Sequence, residues 1–132
     1  MKAALSLIFI FSLGTMVSAQ QVHFLPSGEQ VQINQFADKD NYSFSRINAE
    51  GKLLESGNYK SGMPDGFWVN YNENGSISGK GSYQNGKKEG DWTFYTIKGL
   101  PAYIVSYHEG VRSGALQLDE RGNALADTKI KE

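Results

Sequence analysis

The sequence has 132 residues with 13 basic and 14 acidic side chains, a balance that gives no electrostatic reason to expect nucleic acid or an anionic membrane as a partner. It has no cysteine, which excludes disulfides, thiolate metal sites and cysteine nucleophiles. Its 15 glycines, beside two Trp, seven Tyr and seven Phe, are typical of short strands joined by tight turns.

Residues 1–19 have the pattern of a secretory signal peptide. Lys2 is their only charge, and the apolar run at 3–13 is shorter than the roughly 20 residues that span a membrane. Small residues at 17–19 complete the pattern. We predict cleavage after Ala19 and export to the periplasm or the extracellular space, without stable membrane insertion after cleavage. A buried helix or an uncleaved anchor is the alternative.

The rest of the chain repeats with a period of 24 residues. Three units, at 51–74, 75–98 and 99–122, align without a gap, and a half-unit at 41–50 precedes them. Residues 20–40 are predicted to be an N-terminal capping segment, and residues 123–132 a C-terminal tail. The recurring positions, which we interpret as structural, are Tyr59, Gly62, Gly66, Trp68, Gly75, Tyr83, Gly86, Gly90, Trp92, Gly99, Tyr107, Gly110 and Gly114.

Each unit predicts two antiparallel strands, because it is too short for the crossover that parallel strands need. In the first unit we expect strands at about 52–60 and 67–71, joined by a loop at 62–66. Asn74-Gly75 predicts a type I′ turn, in which both central residues have positive φ. The expected fold class is therefore all-β, as an elongated antiparallel meander of repeated hairpins.

Centring the turns predicts which residues face each other. Within the hairpins, the expected pairs are Tyr59 with Trp68 and Tyr83 with Trp92. Between units, they are Trp68 with Gly81, Trp92 with Val105, and Phe44 with Gly57. An aromatic ring laid across a strand glycine covers exposed backbone, and aromatic cross-strand pairs contribute roughly 0.2–1 kcal/mol each.

Tyr71 and Tyr95 each follow a tryptophan by three residues, which puts them on the opposite face of a regular strand. In the aligned third unit, Leu116 and Asp119 stand at the Trp and Tyr positions. We take Tyr71 and Tyr95 as candidate binding residues. The alternative is that the N-terminal segment or the C-terminal tail covers their face.

The two central units resemble the MORN-repeat variant family over about residues 41–122. The resemblance is to the pattern G-x-W-x-x-Y-x-x-x-G followed by Y-x-x-G-x-x-x-G. The matching residues are Gly66, Trp68, Tyr71, Gly75, Tyr83, Gly86 and Gly90, and again Gly90, Trp92, Tyr95, Gly99, Tyr107, Gly110 and Gly114. This resemblance implies an elongated antiparallel meander that serves as a scaffold or binding platform.

The sequence shows no catalytic or metal-binding motif. His23 and His108 have no metal-ligand spacing, and no glycine-rich phosphate loop occurs. We therefore expect no cofactor, no metal and no enzymatic activity, but an exported interaction module with a protein or glycan partner. The alternative is a small secreted hydrolase that uses loop carboxylates, such as Glu55, Glu73 and Glu89.

Overall fold

A computed structural model describes residues 6–10, 19–36 and 40–129 and shows one open antiparallel sheet. Its eleven strands lie side by side in chain order, as a meander. They are β1 Ser6–Ile10, β2 Ala19–Phe24, β3 Gln30–Gln35, β4 Asn41–Ile47, β5 Leu53–Lys60, β6 Met63–Tyr71, β7 Ile77–Gln84, β8 Lys87–Tyr95, β9 Pro101–His108, β10 Val111–Leu118 and β11 Ala124–Lys129. The predicted all-β meander is confirmed. Among these residues no helix is long and apolar enough to span a membrane.

At one end of the strands, tight two-residue turns join β5 to β6, β7 to β8 and β9 to β10. These turns are Ser61-Gly62, Asn85-Gly86 and Glu109-Gly110, and both residues of each have positive φ. That conformation is the type I′ turn, whose twist matches the flanking strands. Each such turn is also bonded to the preceding hairpin: Gly86 N–H donates to the Pro64 carbonyl at 3.0 Å, for example. We call this end of the strands the tight-turn edge.

Three-residue turns join the strands at their opposite ends. In the turn after β6, Gly75 N–H donates to the Asn72 carbonyl at 2.8 Å, and Gly75 has a φ of 87°. The same hydrogen bond closes the turns at 25–28, 48–51, 96–99 and 119–122. The positive φ predicted for Gly75 and Gly99 is confirmed. The type I′ turn predicted at Asn74-Gly75 is wrong, because Asn74 is not at positive φ.

The register between units is as predicted. Phe44 pairs with Gly57, Trp68 with Gly81, and Trp92 with Val105.

The register within the hairpins is not. Tyr59 pairs with Pro64 rather than Trp68, and Tyr83 pairs with Lys88 rather than Trp92. The β5–β6 turn lies at Ser61-Gly62, ahead of the predicted centre, and a bulge then adds two residues to β6. The predicted and the observed pairings differ by an even number of residues, so each tyrosine stays on the same face as its tryptophan.

The third unit departs from the 24-residue alignment. Its bulge, between Arg112 and Gly114, adds one residue rather than two. Val105, which faces Trp92, therefore pairs with Ala115, so Leu116 lies on the opposite face from the tryptophans. Gly114 also lacks the positive φ of Gly66 and Gly90. Leu116 is thus aligned with Trp92 in sequence but not in space.

The terminal segments extend the sheet at its ends. The segment predicted as a cap forms β2 and β3, and residues 124–129 of the predicted tail form β11. Neither lies over a face of the sheet. Residues 6–10 of the predicted signal peptide form β1, which pairs with β2. The rest of residues 1–18 lie outside the described residues, and cleavage after Ala19 stays a prediction.

Candidate interaction surface

On one face of the sheet, aromatic side chains from neighbouring strands contact one another in a continuous row. Tyr59 contacts Trp68 edge-on at a centroid distance of 5.4 Å, Trp68 contacts Tyr83 at 5.6 Å, and Tyr83 contacts Trp92 at 5.1 Å. Phe44 stacks on Trp68 at 5.6 Å. We call this the tryptophan face. The contacts predicted between these tyrosines and tryptophans therefore exist, although their backbone pairing differs.

The two tryptophans are the buried core of this face. Trp68 is 3% exposed and Trp92 1% exposed. Their indole N–H groups donate to the carbonyls of Asn58 at 3.1 Å and Ser82 at 3.0 Å. Each ring covers a glycine of the neighbouring strand, which leaves room for it to lie flat. Such buried rings contribute a large packing area.

Lys88 lies over the last rings of this aromatic row. Its Nζ lies 4.5 Å from the centre of the Trp92 ring, 5.0 Å from that of Tyr107 and 5.7 Å from that of Phe94. A cation over an aromatic ring is attracted by the negative face of that ring. Burial within the same cluster raises the pKa of Tyr59 and of Tyr83, because it disfavours the phenolate.

The opposite face carries an apolar row along the three-residue turns. Four cross-strand pairs, each just before such a turn, form this row. They are Ile47 with Leu53, Tyr71 with Ile77, Tyr95 with Pro101, and Leu118 with Ala124. Both predicted binding residues thus belong to one surface, which we call the apolar row. In the last pair Leu118, not the aligned Asp119, takes the place of the tyrosine.

The centre of this opposite face is half-buried and mixed in character. Val69, Lys80, Thr93 and Ile104 follow one another across the strands. The Nζ atom of Lys80 lies 5.3 Å from the centre of the Tyr95 ring, which places a positive charge beside the apolar row. The face therefore offers apolar area with a cation at its border.

Toward the tight-turn edge the same face becomes polar. Ser106 donates to the Asp91 carboxylate at 2.6 Å, and Asn34 donates to Ser43 at 3.2 Å. Phe67 lies on the same face, opposite Ser82 of β7, and is 56% exposed. Phe67 is not a recurring position of the repeat, but its parity relative to Trp68 and Tyr71 could have placed it on this face.

A groove of about 250 Å³ opens where the apolar row reaches the last two three-residue turns. Its apolar lining comes from Ile97, Leu100, Pro101, Ala102 and Leu118, and its polar lining from Thr96, Lys98, Asp119 and Glu120. It continues the apolar row, because Pro101 and Leu118 belong to both. Apolar clefts with a few polar groups at their border are typical of binding sites.

Two side chains close the corresponding gap one repeat earlier. There Asn74 Nδ2 and Ser76 Oγ each donate to the Ile97 carbonyl at 3.0 Å and tie the two neighbouring turns together. One repeat later the same positions hold Lys98 and Leu100, and the groove lies between the turns. The groove is therefore a departure from the repeat, which comparison of the units could have indicated.

The carboxylates of the hydrolase alternative are dispersed. Glu55 lies on the tryptophan face and bonds to Arg46 at 3.2 Å. Glu73 lies in a three-residue turn, whereas Glu89 lies near the tight-turn edge, at the other end of the strands. The fold does not bring the three into one cleft. Within the described ranges, no group of His, Asp and Glu side chains could hold a metal ion.

His108, which has no metal-ligand spacing in the sequence, is paired with Glu89. His108 Nδ1 lies 3.0 Å from one Glu89 oxygen, and the other oxygen accepts the Glu109 N–H at 2.7 Å. The hydrogen bond to Glu89 and its charge raise the pKa of His108. The Glu109 N–H and the imidazole lower the pKa of Glu89. The pair is exposed and links β8 to the neighbouring turn.

Neither a scan against models of protein families nor a search of curated proteins finds a match to this sequence.

Proposed function

We propose that this protein is an exported, non-enzymatic repeat scaffold that docks a partner across the apolar row. The observation that carries the proposal is the contrast between the two faces. Trp68 and Trp92 are buried within their own face, whereas the side chains of the apolar row are at most half-buried and no segment among the described residues lies over them. An apolar surface bordered by polar groups on an otherwise soluble sheet is typical of an interaction site.

A protein partner fits this surface better than a glycan. Most of the row is aliphatic, from Ile47 to Leu118, and the groove that continues it is aliphatic as well. Tyr71 and Tyr95 lie one repeat apart, or roughly 10 Å for two strands. An extended segment with regularly spaced apolar side chains could contact both. The MORN-like pattern of the central units supports the scaffold role by resemblance.

Capture from the cell envelope of the source organism tests the proposal. The exported protein is immobilised as wild type, as Tyr71→Ala/Tyr95→Ala, and as Tyr103→Ala. Tyr103 is the matched control, because it is 47% exposed but lies on the tryptophan face beside Phe94. We expect the wild type and the control to retain the same protein, and the double variant to lose it. Retention of the same protein by the wild type and both variants, or retention of a polysaccharide instead, would contradict the proposal.

A second variant tests the groove. Lys98→Asn/Leu100→Ser recreates the two side chains that tie the preceding turns together. We expect it to close the groove and to weaken capture while the melting temperature stays unchanged. Undiminished capture would show that the groove does not contribute.

A further inference from the structure

The two ends of the sheet differ in how well they are protected against pairing with another strand. The pairings of β1 with β2, β2 with β3 and β3 with β4 run without interruption. Every later pairing contains a register shift, including that of β11 with β10. Bulges, prolines and charged side chains are among the devices that keep edge strands from pairing. The N-terminal end lacks the first of these.

The N-terminal end of the sheet lacks prolines and charged side chains as well. β2 contains no proline, and none of its residues is Lys, Arg, Asp or Glu, whereas β11 has a bulge and contains Asp127 and Lys129. The outer edge of β2 also accepts a strand in this structure, since β1 pairs with it antiparallel from Ala19 to His23. The edge is thus regular in its pairing and suited to accepting another strand.

The proposed cleavage after Ala19 would remove β1 and leave β2 as the first strand. We propose that in the exported protein this bare edge pairs with the same edge of a second copy, antiparallel and about a two-fold axis. The inference rests on the proposed export, because cleavage is what exposes the edge. A two-fold contact uses the edge of both copies at once and ends the assembly at a dimer, whereas head-to-tail contact would continue.

The sequence of β2 suits self-pairing. An axis at Val22 sets Val22 opposite its own copy, and Gln21 opposite His23 of the second copy. Neither pair brings like-charged carboxylates or ammonium groups together. Residues that face each other across an antiparallel pair share a face. Val22 and Phe24 lie on the face of the apolar row, so that face would continue from one copy into the next.

Sedimentation equilibrium of the exported protein tests the inference. The full chain, with its own leader, is produced in a secreting bacterial host, and intact mass identifies the N-terminus. We expect a chain that begins at Gln20 and has a concentration-dependent mass approaching twice that of one copy. A processed chain that stays monomeric at all concentrations would overturn the dimer alone. A chain that retains Met1 would overturn the dimer and the export proposal together.

Paired charge variants distinguish β2 pairing from any other contact. Gln21→Lys/His23→Lys puts like charges opposite each other at both ends of the pairing, and we expect it to be monomeric. Gln21→Glu/His23→Lys puts opposite charges there, and we expect a dimer again. The two variants alter the same positions, so comparable circular dichroism excludes a folding difference. A lysine variant as dimeric as the wild type, or a glutamate variant that remains monomeric, would reject the pairing.

Discussion

The indole ring of Trp92 lies flat over Gly81, so closely that a Cβ atom on this glycine would stand 2.3 Å from ring atom Cδ2. Trp68 lies over Gly57 in the same way, with a corresponding distance of 2.2 Å. Each tryptophan therefore packs on a backbone that has no side chain beneath the ring. The buried face depends on these glycines for space as much as on the tryptophans for area.

Gly81→Ala tests this dependence. The added methyl group must displace the Trp92 ring, and we expect a loss of about 1–3 kcal/mol, as in other overpacked cores. Urea unfolding measures the change. Gly114→Ala is the control, because no atom lies within 4 Å of its Cβ position and its φ is not positive. Equal stability of the two variants would contradict the packing described for Trp92.

Trp68 and the two tyrosines of the apolar row should differ in their contribution to stability. Trp68→Ala removes a ring that is 3% exposed, and we expect a cost of roughly 3–5 kcal/mol. Tyr71→Ala and Tyr95→Ala remove half-buried rings from the open face, with an expected cost within about 1 kcal/mol. Thermal melts compare the three. Equal costs would mean that the apolar row is part of the core.

Gly75→Val should destabilise the turn through its backbone alone. Nothing lies within 4 Å of the Cβ position, but the φ of 87° is strained for a β-branched residue. We expect a loss of about 1–3 kcal/mol by thermal melting. Gly75→Asn should cost less, because asparagine enters this region more readily. A valine variant as stable as the asparagine variant would argue against the observed turn.

The Glu89–His108 pair should make stability depend on pH. The pKa of His108 is raised from 6.5, so its contribution is present below that value and is lost as pH rises through the folded pKa. The pKa of Glu89 is lowered from 4.5, so its contribution is present above 4.5 and is lost as pH falls through the folded pKa. Both contributions are complete between these two values.

Glu89→Gln measures this effect. The difference in melting temperature between wild type and variant should be greatest in that interval. In an NMR titration, His108 should titrate above 6.5 in the wild type and return toward 6.5 in the variant. An unchanged His108 titration would show that the pair does not form in solution.

The repeat predicted much of this fold because its glycines and aromatics recur in phase. The pairing of Trp68 with Gly81 was predicted from a two-residue turn. The observed three-residue turn, followed by a bulge at Ser78, restores the same register. Which of the two Asn-Gly pairs forms a type I′ turn was not predictable from the repeat. Asn85-Gly86 forms the type I′ turn and Asn74-Gly75 does not, so the dipeptide alone does not determine the turn type.

The bulges limited prediction of the site. They follow from hydrogen bonding along the whole hairpin, which a residue count cannot show. A bulge one residue shorter moves Leu116 to the other face and brings Leu118 into the apolar row. The parity of Tyr71 and Tyr95 was predictable because the bulges beside them place their extra residue in the partner strand, β7 or β9, and leave the alternation after each tryptophan unchanged. The groove depends on two substitutions within the repeat, at Lys98 and Leu100, and has no motif of its own.

Because each strand of the described sheet bonds only to strands next to it in the chain, the topology of this part of the chain is local. Proteins dominated by local contacts fold quickly, since little loop entropy is lost before contacts form. In such linear arrays an end can open while the middle remains folded. Backbone amides of β6, β7 and β8, which contain or adjoin both tryptophans, should therefore exchange with deuterium most slowly, and protection should decline toward both ends of the sheet.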